Sequence, residues 1–419
     1  MAPKSAVKAV RGMRDLLPAE FGPWYFAEGL AREVATRFGY QEIRTPILEP
    51  IEIAERGAGE SSDIVRKEMY RFQDLGDRWV VLRPEGTAPA VRAYFEGGLN
   101  QAAQPARLFM LAPMFRYDRP GKGRYRQHQQ FSLEAIGDAS PALDAEVIEV
   151  AHTWYVELGL KQISLHINSI GDPKCRPAYR DALLAYFRPL RDRLSADSQR
   201  RLEQNPLRIL DSKEDAALRE GAPRIADYLC AECRMAFAAV QDLLDSAGIE
   251  YQLDPYLVRG LDYYTRTTFE FRHESLGGAQ NAIGGGGRYD GLAAELGYAE
   301  TPGVGFGLGV DRTLEVLAAE GIQVESPPAA ELLVLPADPE LEAAAAAIAR
   351  KAREALPTAV DYSDRSLRAK MRAAGKSGAR WAAIFNAAEA ARRVVQLRDL
   401  ASGDQREVGW DDLPRAIGE

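Results

Sequence analysis

Met114–Glu134 reads MFRYDRPGKGRYRQHQQFSLE, and the interpretation of the whole chain turns on it. Phe115-Arg116-Tyr117 is short, aromatic and extended in character. Asp118 to Gly123 holds one proline and two glycines, which marks a loop with turn chemistry. From Tyr125 to Leu133 a second strand is predicted, ending on Glu134. Arg116, Arg119, Lys122, Arg124 and Arg126 outweigh Asp118 and leave this hairpin at about +4, whereas the whole chain stands at -8. A basic patch on an acidic protein implies a polyanionic partner.

The surrounding sequence bounds the possibilities. A chain of 419 residues with 46% hydrophobic content is long enough for two or three globular domains. It has no apolar run long enough to cross a membrane, and MAPKSAVKAVRGMRD lacks the apolar core of a signal peptide, so a cytoplasmic location is expected. Cys175, Cys230 and Cys233 are too few for a disulfide framework. Cys230-Ala-Glu-Cys233 has zinc-knuckle spacing but no second pair in sequence, and no histidine lies near it. It reads as two thiols on one helix face, and no protein-held metal is expected.

Residues 24–38 are predicted to form an amphipathic helix, stopped by Gly39. An extended segment follows, from Tyr40 to Ile47, with Pro46 marking a sheet edge or an interface. Gly57 to Ser62 reads as a loop, and residues 69–72 and 79–82 as strands. Arg83 to Thr87 is a break, with a helix from Pro89 to Tyr94. Beyond the hairpin, a helix is predicted for Asp144–Leu158 and a strand for Gln162–Asn168. Residues 172–250 are rich in Arg, Leu and Ala and read as an inserted helical subdomain. Extended character returns at Tyr256–Tyr264 and Phe269–His273, before the run Gly284–Gly287.

Between Gly303 and Val310, glycine alternates with Val304, Phe306, Leu308 and Val310. The period of two leaves one strand face as bare backbone, which a ligand or another chain segment can approach closely. Asp311 and Arg312 then open a helix. After a Pro-rich linker, residues 331–419 read as a compact α/β module.

No P-loop is present, and no GxGxxG stands between a strand and a helix. A nucleotide would instead be held by Arg116, Arg124, Arg259 and Arg312, whose forks match phosphate oxygens and stack on flat rings. Glu85, Thr87 and Gln130 offer what an α-ammonium group needs. Glu134, on the same strand face as Gln130, and a tyrosine hydroxyl offer what an imidazole needs. Arg259 and Tyr263 are predicted to share one strand face, with Tyr264 on the other.

These stretches together resemble class II aminoacyl-tRNA synthetases, specifically the bacterial-type histidyl-tRNA synthetase family. The resemblance covers nearly the whole chain. It runs through Arg11-Gly-Met-Arg-Asp15, Tyr40–Pro46, Leu82-Arg-Pro-Glu-Gly-Thr87, Phe115 to Glu134, Asn168-Ser-Ile-Gly-Asp172 and Asn205-Pro-Leu-Arg-Ile-Leu-Asp211. It continues through Leu257-Val-Arg-Gly-Leu-Asp-Tyr-Tyr264, Gly287-Arg-Tyr-Asp-Gly291 and Asp311-Arg312. It implies an α+β catalytic domain with a mainly antiparallel sheet over residues 1–325, a helical insertion at 172–250, and a C-terminal α/β anticodon-binding domain at 331–419.

The implied activity is ATP-dependent ligation of histidine to its tRNA through a histidyl-adenylate, with Mg²⁺ accompanying ATP as substrate. The resemblance assigns Glu85, Thr87 and Gln130 to the α-amino group. It assigns Glu134, Tyr263 and Tyr264 to the imidazole pocket, which Tyr289 closes. Arg259 and Arg116 would act catalytically on the α-phosphate and the histidine carboxylate. ATP would also meet Asp118, Arg124, His128, Arg312, Gly307 and Gly309. Arg119 and Lys122 would meet the tRNA acceptor end, and Arg368, Arg372 and Lys376 the anticodon arm. Residues 331–419 carry 14 basic and 14 acidic side chains, with the stretch Arg365–Arg380 purely basic. A homodimer is implied through the 24–38 helix and the Pro46 segment.

The chain departs from the family pattern in having Asp118 and Asp311 where glutamate is usual, His128 where a stacking phenylalanine is usual, and Gln129 where a histidine is usual. No hydrolytic editing domain is evident, consistent with a substrate whose polar side chain permits discrimination by hydrogen bonding alone. The alternative is a non-catalytic histidine-sensing paralogue that regulates an ATP phosphoribosyltransferase. Such paralogues generally lack the C-terminal module. Synthetases for threonine, proline or glycine do not carry Arg259–Tyr264 in this form.

Overall fold

The computed structural model describes residues 6–59, 62–277 and 281–418, and the chain divides into two compact units, Met1–Val324 and Glu325–Glu419. Strands and helices are numbered in chain order. In the first unit the strands are β1 (Gln41–Glu42), β2 (Leu48–Pro50), β3 (Tyr70–Gln73), β4 (Trp79–Leu82), β5 (Ala106–Phe115), β6 (Gln127–Ile136), β7 (Ile163–Ser169), β8 (Gln252–Leu253), β9 (Thr265–His273), β10 (Ala282–Arg288) and β11 (Gly303–Gly309). Its helices are α1 (Phe21–Arg37), α2 (Ile51–Ala58), α3 (Thr87–Glu96), α4 (Pro141–Glu157), α5 (Arg176–Phe187), α6 (Ala196–Gln204), α7 (Ala216–Arg219), α8 (Ala231–Ser246), α9 (Leu292–Glu295) and α10 (Val310–Ala319).

Eight strands form one sheet in the order β1-β5-β6-β11-β10-β9-β7-β8, antiparallel except at its two ends, where β1/β5 and β7/β8 run parallel. Strands β2-β4-β3 form a separate antiparallel sheet. The large sheet buries one face under α1, α4 and α10. Phe131 of β6, Phe306 of β11 and Trp154 of α4 meet there edge to face, with centroids 5.1 and 5.3 Å apart. Each such fully buried side chain contributes about 1.5–3 kcal/mol. Helix α1 turns Trp24, Ala27, Ala31 and Val34 inward, and the Trp154 indole donates to the Ala27 carbonyl at 3.0 Å. Its apolar stripe is thus satisfied within its own chain.

Four sequence expectations need correcting. Gly57 to Ser62 is not simply a loop, because α2 runs through Gly57 and Ala58; Ala54 and Ala58 pack inward, which outweighs the local Gly/Ser signal. Glu60 and Ser61 lie outside the described residues. Of the predicted extended segment Tyr40–Ile47, only Gln41 and Glu42 pair, alongside β5. The second strand of the hairpin begins pairing at Gln127 rather than Tyr125. Tyr256–Tyr264 is not a strand, since its backbone turns twice between β8 and β9.

The insertion is helical, from α5 to α8, and α8 returns to the main core through Val240 and Leu244. The second unit holds β12 (Leu332–Pro336), α11 (Glu342–Ala352), β13 (Thr358–Val360), α12 (Leu367–Ala374), β14 (Trp381–Phe385), α13 (Ala387–Ala391), β15 (Val394–Asp399), β16 (Gln405–Gly409) and α14 (Leu413–Gly418). Its sheet order is β13-β12-β14-β15-β16, parallel on the β13 side and antiparallel beyond β14, around a core of Leu332, Val334, Ile348, Phe385 and Leu397.

Candidate active site

The unburied face of the large sheet is made by register. Gly305, Gly307 and Gly309 of β11 lie opposite Glu134, Ser132 and Gln130 of β6, and across β10 Gly285 lies opposite Gly307 and Glu270. Val304, Phe306 and Leu308 alternate into the core. A one-residue slip would turn all of these side chains over. A cavity of ≈ 220 Å³ opens above this face, with Glu85, Thr87, Gln130, Tyr263 and Tyr264 around one end and Arg116, Arg124, His128 and Arg312 around the other.

The bare glycine face admits the close approach that its alternation predicts, and the groups that approach it are the chain's own. A side chain at Gly305 would collide with the Glu134 carboxylate, one at Gly307 with the Gln130 amide, and one at Gly303 with the Tyr289 ring. At Gly285 it would meet the Arg259 guanidinium at 2.9 Å, and at Gly287 the Tyr264 ring at 3.0 Å. The glycines therefore form a floor on which the site's own side chains lie flat. Among the β11 glycines only Gly307 and Gly309 reach the cavity that a nucleotide would enter.

At the acidic end, Glu134 is fully buried. It accepts from the Thr87 hydroxyl at 2.7 Å and from the Tyr289 hydroxyl at 2.6 Å. Burial pushes its carboxyl up to about 8, although both hydroxyl donors pull the other way. Burial also raises Glu85, against the backbone N–H groups of Thr87 (2.6 Å) and Ala88 (3.0 Å) that it caps at the start of α3. Gln130 donates to Ser132 Oγ at 2.8 Å. Tyr263 and Tyr264 are both buried, with ring centroids 4.6 Å apart, and Tyr263 meets Tyr289 at 5.8 Å. The expectation that Tyr263 and Tyr264 point to opposite faces fails because they sit on a turn, not a strand.

At the basic end each guanidinium is fixed from behind. Arg116 Nε donates to the Pro84 carbonyl at 2.7 Å, Arg312 donates to the Ala282 carbonyl, and Arg124 pairs with Asp118 at 2.6 Å. Asp118 therefore holds an arginine in place. His128 is pulled down to about 3, first by burial and then by Arg116 and Arg312, so its ring is neutral at physiological pH. Asp311 accepts from the Gln129 backbone N–H at 2.8 Å, which ties α10 to β6.

Arg259 lies between the two ends. Its Nη1 contacts Glu270 at 2.5 Å, and its buried Nε has no partner among the described residues. Glu270 was not singled out by sequence. Its signal was present in the alternation of β9, where Phe269 and Phe271 face the core and Glu270 the other side. Arg83, also missed, is buried, donating to Thr45 O (2.8 Å) and Pro113 O (3.0 Å) and so bracing the turn that carries Glu85.

The other charged residues lie elsewhere. Arg119 and Lys122 are exposed on the hairpin loop, with Lys122 3.5 Å from Glu315. In the second unit Arg368 and Arg372 are exposed on α12, but the predicted common helical face is shorter than expected. Arg365 precedes the helix and pairs with Asp361 at 2.9 Å, Lys376 follows it, and Lys370 is buried against the Pro336 carbonyl.

Comparison with known proteins gives consistent results. The family model described as histidyl-tRNA synthetase matches residues 12–313, and one described as anticodon binding domain matches residues 331–419. The histidine–tRNA ligase of Moorella thermoacetica is 49% identical over 402 residues, 95% of each chain. That of Bacillus cytotoxicus is 44% identical over 419 residues, 99% of each. The apo histidyl-tRNA synthetase of S. aureus superposes with a TM-score of 0.83 at 34% identity, covering 99% of this chain and 100% of that one.

Proposed function

The chain belongs to the histidyl-tRNA synthetase family, and from that premise we propose that its cavity joins histidine to ATP and then to the 3′ end of histidine tRNA. It is an enzyme, a histidine–tRNA ligase. Arg259 carries the reading. It is half-buried, backed by Glu270, and lines the same cavity as Glu85, Thr87 and Gln130 and as Arg116, Arg124 and Arg312.

Glu85, Thr87 and Gln130 hold the α-ammonium group of histidine. Glu134 and Tyr264 read the imidazole, with Tyr263 and Tyr289 shaping its pocket. This leaves the carboxylate of histidine beside Arg259. Its oxygen attacks the α-phosphorus of ATP in line, the bond to the bridging oxygen breaks, and pyrophosphate leaves. Negative charge builds on the phosphoryl oxygens as this happens. Arg116 and Arg259 meet it there, already oriented by the Pro84 carbonyl and Glu270. Arg124 and Arg312 take the pyrophosphate end, and the neutral His128 ring stacks on adenine. Mg²⁺ accompanies ATP as part of the substrate.

In the second step a ribose hydroxyl of the tRNA attacks the anhydride carbonyl, and AMP departs. No carboxylate or imidazole at the acidic end is left unengaged by histidine, so a phosphate oxygen of the adenylate takes the proton. The tRNA meets the exposed Arg119 and Lys122 at its acceptor end and Arg368, Arg372 and Lys376 in the module at 331–419. Presence of that module argues against the regulatory paralogue. No helix among the described residues is long and apolar enough to cross a membrane, and the reaction belongs in the cytoplasm with the tRNA pool. A homodimer forms through the Pro46 segment rather than through α1, whose apolar stripe is already packed; Ile47 beside Pro46 and Leu48, Phe72 and Trp79 of the adjoining small sheet are 44–49% exposed.

The deciding experiment is amino-acid-dependent exchange of pyrophosphate into ATP, run with all twenty amino acids. Exchange with histidine alone is expected. Histidine binding by a folded protein without exchange would replace this reading with the regulator.

A further inference from the structure

We infer that Asp172, Cys175, Cys230 and Cys233 form a structural zinc(II) site that ties together the two ends of the helical insertion, where it leaves β7 and where α8 begins. The chain has three cysteines, and the fold gathers all of them, with the Asp172 carboxylate, so that one ligand atom from each lies within 4.8 Å of the others. In a tetrahedral site with Zn–S of about 2.3 Å, sulfur atoms stand about 3.8 Å apart, so only a small contraction separates the four groups from coordination. Folding supplies the second pair that CxxC lacked in sequence. Asp172-Pro-Lys-Cys175 repeats the two-residue spacing of Cys230-Ala-Glu-Cys233, the first pair at the turn into α5 and the second in the first turn of α8.

Backbone amides and two helix N-termini surround the sulfurs, while burial, and for Cys233 the Asp172 carboxylate as well, raises the Cys175 and Cys233 thiols, so a metal would have to displace their protons. Cys175 and Cys230 sit at the N-caps of α5 and α8, helices of 12 and 16 residues whose N-terminal dipoles favour negative charge. The Cys230 N–H donates to Cys175 Sγ at 3.1 Å and the Cys233 N–H to Cys230 Sγ at 3.4 Å, as backbone amides do around metal-bound sulfur. Asp172 Oδ1 accepts the Lys174 and Cys175 N–H groups at 2.9 and 3.2 Å, which fixes its orientation, and Arg266 stands 3.8 Å from Oδ2. Gly171, at φ +66, makes the turn. Any side chain there would press on Cys175 Cβ at 2.8 Å. Asp172, Cys175 and Cys233 are at most 6% exposed, so three of the four donors are already withdrawn from water. Three sulfurs and one oxygen select zinc over harder divalent ions, and four protein donors leave no open position, which makes the site structural.

The location says what the clip would hold. Asp172 and Cys175 begin the insertion just after β7 of the large sheet, and Cys230 and Cys233 open α8, its last helix. The loop between β7 and Asp172 exchanges two backbone hydrogen bonds with Arg266, both 2.8 Å, and Arg176 donates to the Tyr264 carbonyl. Metal binding would therefore steady the segment carrying Tyr263 and Tyr264. The metal site itself does not depend on the proposed reaction.

The test is metal analysis of the full-length protein purified under reducing conditions. About one zinc per chain is expected, with cobalt(II) replacement giving the thiolate charge-transfer and intense visible bands of a tetrahedral site. Cys230→Ser with Cys233→Ser should lose the metal. Asp172→Cys should retain one equivalent and release it to a chelator more slowly than wild type, which guards against the double variant failing to fold. The apoprotein should melt at lower temperature and recover on adding zinc. Folded wild-type protein without zinc that gives only the octahedral cobalt spectrum would overturn the proposal. So would a disulfide among the three cysteines, or zinc retained unchanged by the double variant.

Discussion

The two ends of the cavity are built on opposite principles. At the acidic end the polar groups satisfy one another before any ligand arrives. Glu134 accepts from Thr87 and Tyr289, Glu85 caps α3, and Gln130 donates to Ser132. At the basic end Arg116 and Arg312 are anchored by neutral main-chain carbonyls, so their positive charge is aimed rather than cancelled, and Arg124 alone is held by a carboxylate, that of Asp118. The first arrangement suits selection, because only a ligand that matches the existing hydrogen bonds can enter without leaving buried groups unpaired. The second suits catalysis, because oriented guanidiniums need no reorganisation when charge develops. Arg259 belongs to both. It carries a formal ion pair with Glu270 and still has a buried Nε without a partner among the described residues.

The largest effect should come from breaking that junction. Arg259→Ala should lower histidine-dependent pyrophosphate exchange by about 100–1,000-fold, with histidine binding much less affected. Exchange within a few-fold of wild type would show that the two ends work independently. Next, Glu134→Gln should lower kcat/KM for histidine by roughly 10–100-fold, the cost of leaving a buried polar group mismatched, while leaving KM for ATP nearly unchanged.

The same substitution sharpens the contrast in stability. The Glu134 carboxyl is raised by burial to about 8, so the folded state binds a proton that the unfolded chain has already released. Its contribution is complete below the ordinary carboxylate range and fades as pH rises through about 8. Ligand-free wild-type Tm should fall over that window, and Glu134→Gln should flatten that part of the curve.

Smaller effects are expected at the basic end. His128→Ala should raise KM for ATP about 3–10-fold, the worth of one ring contact, with KM for ATP in wild type showing no titration of His128 near neutrality because its ring is held neutral. Smallest of all, Arg372→Ala should lower kcat/KM for tRNA by a few-fold and leave pyrophosphate exchange unchanged, as measured by comparing aminoacylation with exchange.

The mainly antiparallel sheet followed from the family resemblance, whereas the helical insertion and the alternating strands were legible because composition and period report local geometry directly. Gly303–Val310 shows this best, since its period of two put Val304, Phe306 and Leu308 in the core. Tyr256–Tyr264 shows the limit. Its aromatic, extended composition suggests a strand, yet the chain turns there to lay Arg259 and Tyr264 on the β10 glycines. Glu270, Arg83 and the partner of Arg124 were illegible for a common reason. Each matters through a contact with a residue distant in sequence or across a loop, and nothing in its immediate neighbours announces that contact.

The sequence by itself determined the family, the alternation of the strands, the residue types needed to bind an amino acid and a triphosphate, and the basic character of the central hairpin. Tertiary structure alone decided which of those residues meet. Strand register set the glycines of β10 and β11 under Arg259, Gln130 and Glu134, burial shifted Glu134 up and His128 down, and chain crossing brought Asp172 and Cys175 to Cys230 and Cys233. Local pattern follows from backbone sterics and side-chain polarity, which a sequence carries. Convergence and dielectric surroundings exist only once distant segments pack.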